Sequence, residues 1–178
     1  MEDFLQSDSA AKLTELHLPR YQELPDLELY MDQVIYVTNQ VLSPLFPKSS
    51  SPILTPTMIN NYVRQKLVEP PVKKRYTRKH LAYFIAVALL KPVFSIGEIA
   101  GLIQRQMEVS GTDAAYDRLC AELEQCLTAI FHCGELQKPL PPVGEADLLR
   151  AAVVSLSHKI YVEKFLEHSG LLDCNLKK

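Results

Sequence analysis

The stretch that decides the fold begins at residue 55, ends at residue 103 and reads TPTMINNYVRQKLVEPPVKKRYTRKHLAYFIAVALLKPVFSIGEIAGLI. Thr55 followed by Pro56 predicts a helix start, because a threonine N-cap and a proline at the first helical position both favour one. The pair at residues 70–71, both proline, then ends the helical path and forces extended backbone. Ser95 and Glu98 have the spacing of a capping box, which opens another helix. The stretch therefore predicts helices interrupted by one short extended turn.

Apolar residues recur at helical spacing on both sides of this stretch. We expect a long N-terminal helix that runs from Asp26, its N-cap, to Leu42. Further helices are expected to begin at Thr77 and to cover about residues 113–132 and 145–168. Only residues 70–76 favour extended structure, so the sequence predicts an all-α fold with a minimal β wing.

Charge is distributed unevenly along the 178 residues, although the net charge is only −2. Residues 48–91 carry nine basic side chains and one acidic side chain, Glu69, whereas the segments on both sides are acidic. A local positive field of this kind favours polyanionic partners. A merely solvated lysine face is the alternative interpretation. The basic block coincides with the helix-and-turn pattern, which favours the interpretation that it binds a polyanion.

The helix that begins after Thr55 has a polar side and an apolar side. Its polar side chains lie three or four residues apart and therefore share one face: Thr57, Asn60, Asn61 and Arg64. Its inner face carries Ile59, Tyr62 and Val63. Hydroxyl, amide and guanidinium groups are the groups that hydrogen-bond base edges and phosphates. The polar face is therefore a candidate for reading nucleic acid.

Residues 55–103 resemble the DNA-binding part of MerR-type transcriptional regulators. The segment Met58-Ile59-Asn60-Asn61-Tyr62 stands where that family has its recognition helix. The remaining features follow in the family's order: Leu67 with Pro70 and Pro71 at the helix exit, Arg75-Tyr76 at the end of the wing, the Thr77 cap, Leu81 and Leu89 in the next helix, and Phe94-Ser95-Ile96-Gly97-Glu98-Ile99 at the last helix start. The whole chain, with its opening Leu18-Pro19-Arg20-Tyr21-Gln22-Glu23-Leu24-Pro25-Asp26, also resembles an uncharacterised bacterial family of MerR-like proteins known only as a domain of unknown function.

The sequence departs from the MerR pattern in three places. A long helix and a loop rich in proline and serine precede the recognition helix. The wing is short and lacks a glycine at its tip, and the C-terminal third is two helices instead of one coiled-coil helix. The resulting division is residues 1–52 as an N-terminal extension and long helix packing on the core, 53–107 as a MerR-like winged helix-turn-helix, and 108–178 as a C-terminal helical hairpin for dimerisation or partner binding.

The resemblance implies a bacterial DNA-binding transcriptional regulator whose partner is double-stranded DNA. A homodimer is expected, because one recognition helix reads only a half-site. The expected contacts to bases or the nearest phosphates are Thr57, Asn60, Asn61 and Arg64. The expected contacts to the flanking backbone are Lys73, Lys74, Arg75, Tyr76, Arg78 and Lys79. His80 is expected on the helix surface near phosphate. No effector is implied.

Two other functions are compatible with the sequence. The basic block suits a helical protein-interaction module that docks an acidic partner without binding DNA. Alternatively, Cys126 and Cys133, with His132 beside them, suit a thiol or metal sensor. Packing in the core is the favoured role of these cysteines, because residues seven apart share a helix face.

Catalysis and membrane insertion are not expected. The chain has no Gly-rich phosphate loop, no Gly-x-Ser-x-Gly elbow and no His-Glu-x-x-His pair, so we expect neither an enzyme nor a cofactor or metal. The longest apolar run, residues 81–90, is about half of the ~20 residues that span a bilayer. The first residues do not resemble an export signal. A cytoplasmic protein is therefore expected.

Overall fold

The computed structural model describes residues 2–46, 52–133 and 145–170. Over these ranges the fold is all-α, as predicted. The helices are α1 (Glu2–Leu5), α2 (Asp8–Thr14), α3 (Met31–Leu42), α4 (Pro56–Arg64), α5 (Arg78–Leu90), α6 (Ile96–Ser110), α7 (Thr112–Thr128) and α8 (Glu145–His168). A 3-10 turn forms at Tyr21–Glu23, and a π-helical turn, Ala129–Cys133, continues α7.

Helix α5 lies at the centre of the fold. All of its residues from His80 to Leu90 are buried except Tyr83, which is half-buried. A helix that is apolar on every side must be surrounded, and α3, α6, α7 and α8 all pack against it. Across the described ranges, no helix combines the length and the hydropathy needed to cross a bilayer.

The buried apolar side chains form one continuous cluster. It includes Leu13 from α2, Leu42 from α3, Ile85 from α5, Leu123 from α7 and Leu156 from α8. Residues of the N-terminal extension therefore belong to the same core as the C-terminal helices.

Helix α3 begins at Met31, so the predicted start at Asp26 is wrong. The preceding residues are extended, because Leu29 pairs antiparallel with Tyr76 through two backbone hydrogen bonds of 2.8 Å each. Asp26 makes an ion pair with Arg78 instead of capping a helix. The Gln33 side chain accepts a hydrogen bond from the Tyr30 N–H at 2.8 Å and closes the true helix start. A distant partner has overridden the local capping preference.

The predicted starts of α4 and α6 are confirmed. The Thr55 hydroxyl accepts a hydrogen bond from the Met58 N–H at 3.3 Å. In α6 the Glu98 carboxylate accepts from the Ser95 N–H at 2.7 Å, and the Ser95 hydroxyl accepts from the Glu98 N–H at 3.4 Å. Gly111 alone separates α6 from α7, and its φ of +82° is one that glycine adopts without strain.

A carboxylate on α7 holds the segment that leads from α2 to the 3-10 turn. Glu124 accepts hydrogen bonds from the Leu18 N–H at 2.7 Å and from Arg20 Nη1 at 2.8 Å, and its second oxygen bonds Arg20 Nη2. Asp117 accepts from the Tyr21 N–H at 2.6 Å. Burial raises the pKa of Glu124, but Arg20 and the Leu18 N–H outweigh this effect and leave the pKa below its usual value.

We predict that Glu124→Ala lowers the free energy of unfolding by about 2–3 kcal/mol, because it leaves a half-buried guanidinium and a backbone N–H without their acceptor. Urea unfolding of the two proteins measures the difference. Glu108→Ala is the matched control, because Glu108 forms an exposed pair with Arg105 and exposed pairs contribute less than about 1 kcal/mol. Equal losses in the two variants would contradict the assigned role.

Candidate nucleic-acid interface

Helix α4 packs its apolar side on the core and leaves its polar side in solvent. Ile59 and Tyr62 are buried, whereas Thr57, Asn60 and Arg64 are exposed. Asn61 is half-buried, and its side-chain oxygen accepts a hydrogen bond from the Arg64 guanidinium at 2.9 Å. The helix carries no acidic residue. Its solvent side therefore presents hydrogen-bonding groups with a net positive charge.

A lysine terminates α4 in a conformation that usually requires glycine. The Lys66 N–H bonds the Val63 carbonyl and the Leu67 N–H bonds the Tyr62 carbonyl, both at 3.0 Å. This is the Schellman pattern, in which the residue after the C-cap is left-handed and most often glycine. Lys66 has a φ of +58° and is exposed. The sequence places a cation where glycine would be less strained.

The turn after the proline pair holds two more lysines in the left-handed conformation. The Arg75 N–H bonds the Val72 carbonyl at 2.9 Å and closes a four-residue turn. Its two central residues, Lys73 and Lys74, have φ values of +50° and +62°. Two successive positive φ values are the mark of a type I′ hairpin turn, which favours Asn and Gly. We call Val72–Arg75 the basic turn. Its two lysines are exposed at the tip.

The end of the basic turn is fixed to the N-terminal segment. Tyr76, 3% exposed, pairs with Leu29, and its ring packs edge-on against His80 and Phe84. The Arg75 guanidinium lies 3.7 Å from the centroid of the Tyr30 ring, a cation–π contact. The turn therefore has a fixed orientation.

The two basic residues at the start of α5 are both paired. Arg78 forms an ion pair with Asp26 at 3.3 Å and donates to the Gln22 side chain at 2.7 Å, and only 15% of its side chain is exposed. Lys79 pairs with Glu69 at 2.9 Å, and both of these side chains are exposed to solvent. Arg78 thus fastens the N-terminal segment to α5, whereas Lys79 remains accessible at the surface.

His80 is buried, so its predicted position on the helix surface is wrong. Its Nδ1 accepts a hydrogen bond from the Thr77 N–H at 3.0 Å, and its Nε2 donates to the Glu69 carbonyl at 3.1 Å. This pairing requires the neutral ring with its proton on Nε2. Burial lowers the pKa of His80 and so favours the neutral form. The signal in the sequence was the spacing Thr77-x-x-His80, which is that of a capping box.

Comparison with known proteins identifies a family over much of this region. Residues 19–119 match a family described as a domain of unknown function, DUF1836. The chain is a member of the DUF1836 family. No curated protein and no solved structure matches the chain. The DUF1836 match includes both halves of three contacts described above: Leu29 with Tyr76, Tyr30 with Arg75, and Asp26 with Arg78. It ends within α7 and does not reach α8.

Within the DUF1836 region the predicted contact residues differ in accessibility. Six of them are exposed: Thr57, Asn60, Arg64, Lys73, Lys74 and Lys79. Asn61 and Arg75 are half-buried, and Arg78 and Tyr76 are held in the contacts described above. Two residues that the sequence did not single out join this surface, Lys66 and Tyr30. Tyr30 was missed because its contact with Arg75 exists only in the folded chain.

Cys126, one of the two cysteines that suggested a thiol or metal sensor, lies in the core. Cys120 and Cys126 are buried free thiols. Burial raises the pKa of Cys120 to about 12 and raises that of Cys126 as well, so the metal-binding thiolate form is disfavoured in both. Among the side chains that the structure describes, no cluster of three or more His, Cys, Asp or Glu residues could hold a metal. The Cys133 side chain falls outside that set.

We predict that Lys74→Gly is more stable than Lys74→Ala by about 1 kcal/mol. Both changes remove the charge, but only glycine adopts the left-handed conformation without strain. Urea unfolding of the two variants measures the backbone effect separately from the charge. Equal stability would show that residue 74 is not held at positive φ in solution.

We predict that the wild type loses more stability than His80→Gln when the pH falls from about 7.5 to about 5.5. His80 is neutral in the fold with a lowered pKa, whereas the unfolded histidine titrates near 6.5. Its contribution is therefore present above about pH 6.5 and is lost as the pH falls through the lower folded value. Glutamine can keep the capping box without titrating.

Thermal unfolding at both pH values gives the comparison. His158→Gln is the control, because His158 is exposed on α8 and its loss should leave the wild-type pH response intact. A His80→Gln variant as acid-sensitive as the wild type would contradict the neutral, buried assignment.

Proposed function

We propose that this DUF1836 protein is a bacterial transcription regulator that binds double-stranded DNA through a MerR-like winged helix-turn-helix. The observation that carries the proposal is the orientation of α4. Its apolar residues fix it to the core, and its solvent side carries amide, hydroxyl and guanidinium groups without an acid. A rigid helix with such a face has the chemistry to read base edges in a major groove.

On this proposal Asn60 and Arg64 make the contacts to bases, and Thr57 makes a base or phosphate contact near the start of α4. The amide of Asn60 can form the paired hydrogen bonds that adenine offers, and a guanidinium can form those of guanine. Asn61 has a different role. Because its oxygen accepts from Arg64, it orients that guanidinium before DNA arrives.

The contacts to phosphate come from cations that the fold holds at the surface. Lys73 and Lys74 lie at the tip of the basic turn, Lys66 lies at the end of α4, and Tyr30 holds Arg75 in place. Lys79 joins them from α5. We leave Tyr76 and Arg78 out of the contact set, because their side chains are engaged in fixing the turn and α5 to the N-terminal segment.

The proposed DNA-binding form is a homodimer, since one α4 reads a half-site and two-fold symmetric sites require two copies. The α7–α8 hairpin is the proposed dimer contact. Helix α8 exposes the apolar side chains of Leu148 and Val162, which a partner subunit would cover. Catalysis, metal and cofactors have no part in the proposal.

Selection of bound duplexes from a random pool tests the proposal directly. We expect enrichment of a palindrome, and affinity for that duplex should fall with salt at a log–log slope near −4 to −5, for about five phosphate contacts. Absence of any enriched sequence, or affinity that is independent of salt, would refute it.

We predict that Asn60→Ala relaxes base preference, costing about 1–3 kcal/mol at one position of the selected site. Lys74→Gly keeps the turn and should weaken binding to all duplexes alike, with a salt slope smaller in magnitude by about 1. Lys91→Ala is the matched charge control, because Lys91 is an exposed lysine at the opposite end of α5. Fluorescence anisotropy with selected and scrambled duplexes measures all three.

A second candidate function is the docking of an acidic protein partner without DNA. The observation that favours it is the exposed apolar surface near the same cations. Val72 in the basic turn is 70% exposed, and Leu27, two residues before the Leu29 that pairs with Tyr76, is 61% exposed. A surface that is both basic and apolar suits an acidic amphipathic peptide. Failure of the duplex selection would favour this alternative.

A further inference from the structure

A cleft of about 600 Å³ opens between parts of α5 and α6, which are in contact elsewhere. Ala82, Tyr83 and Ala86 line it from α5, and Ile103 and Met107 line it from α6. The loop at residues 66–69 and the first turns of α7 also contribute to its walls. The space exists because α5 presents two alanines on the side that faces α6, where larger side chains would fill the gap.

The size and lining of the cleft are those of a small-molecule site. Pockets for drug-sized ligands occupy roughly 300–1,000 Å³ and are mostly apolar, with few polar groups. Leu67, Tyr83, Ile103 and Met107 are each half-buried here, so a bound molecule would cover the apolar surface that they leave open. Burial raises the pKa of Tyr83 to about 12, which keeps its phenol protonated as a hydrogen-bond donor.

One lysine at the edge of the cleft favours an anion at that end. Four ionic side chains line it, and three of them already have partners: Lys79 pairs with Glu69, and Glu108 pairs with Arg105. Lys66 has no ion-pair partner among the residues that the structure describes. The Schellman turn holds Lys66 in place at the loop end of the cleft. One exposed cation beside the apolar cavity is therefore available, in the described part of the chain, to pair with an anion.

We infer that this cleft binds an apolar small molecule carrying one anionic group. The apolar body lies against Ala86, Ile103 and Met107, and the anionic group pairs with Lys66. Methionine adapts its shape to varied ligands, which suits a site without rigid polar recognition. A partner helix fits less well, because two turns of an α-helix about 10 Å across already occupy roughly 850 Å³. The inference does not depend on DNA binding.

Calorimetric titration of the full chain with dodecanoate, kept below its micelle-forming concentration, tests the inference. We expect one molecule bound per chain and a raised melting temperature. Dodecyltrimethylammonium, with the same tail and the opposite charge, should bind at least about tenfold more weakly. Saturation at one dodecanoate per two chains would instead indicate that the cleft holds a second copy, and would overturn the inference.

Three variants locate the site. Ala86→Phe fills the cleft and should reduce dodecanoate affinity by at least about tenfold. Met107→Glu should also reduce dodecanoate affinity, because its carboxylate repels the ligand. Met107 is half-buried, so a charge there disturbs the fold less than one at a fully buried position would. Lys66→Gly preserves the left-handed turn and removes the cation, so it should reduce affinity about three- to tenfold. Circular dichroism confirms that each variant is folded.

Lys91→Ala is the control for non-specific attraction of an anionic detergent, because Lys91 is exposed and does not line the cleft. Its affinity should equal that of the wild type. No binding by the wild type, or unchanged binding in folded Met107→Glu and Lys66→Gly, would overturn the inference. Duplex binding is measured separately, so its failure leaves this result intact.

Discussion

The antiparallel pairing of Leu29 with Tyr76 is the constraint on which the arrangement of the basic surface depends. An isolated two-stranded hairpin is at best marginally stable in water, and the basic turn is shorter still. Two backbone hydrogen bonds of 2.8 Å join Tyr76, the residue that follows the turn, to a segment far away in the sequence. On one side of this pairing Tyr30 lies under Arg75, and on the other side Asp26 holds Arg78. The Tyr76 ring then packs into the core beside Phe84. The orientation of the turn is therefore set by tertiary contacts and not by its own sequence.

Local rules of stability are broken on this same surface. Three lysines occupy left-handed positions where glycine or asparagine would be less strained. Natural sequences break such rules mainly at functional or strained sites. Strain at three cations, all within residues 66–74, is consistent with a requirement for their charge, since a demand for stability alone would favour other residues. Two proposed interactions would require these positive charges. One is the contact of the three lysines with phosphate, and the other is the pairing of Lys66 with an anionic ligand.

Much of the fold followed from short-range signals in the sequence. Thr55 with Pro56, and Ser95 with Glu98, start helices where predicted, because capping involves residues only three positions apart. The polar and apolar faces of α4 followed from helical periodicity. The failures at Asp26 and His80 both involve tertiary contacts, although the Thr77-x-x-His80 spacing also carried a local signal. Asp26 looked like an N-cap but pairs with Arg78, and His80 looked like a surface residue but is covered by the loop that contains Glu69. The cleft was unpredictable for the same reason, because it reflects how α5 and α6 pack against each other.

The extent of the family match has a consequence for the architecture of related proteins. The match ends at Leu119, in the middle of α7, yet α8 supplies buried side chains that pack over α5 and α7: Leu149, Ala152, Val153, Leu156 and Ile160. The residues of the matched region therefore do not by themselves bury all of its apolar side chains. A relative that consists of that region alone must cover the apolar surface of α5 and α7 in another way. A helix from a different part of its chain or a neighbouring subunit could do so. The C-terminal third, which lies outside the family match, is therefore the part in which relatives can differ in quaternary assembly.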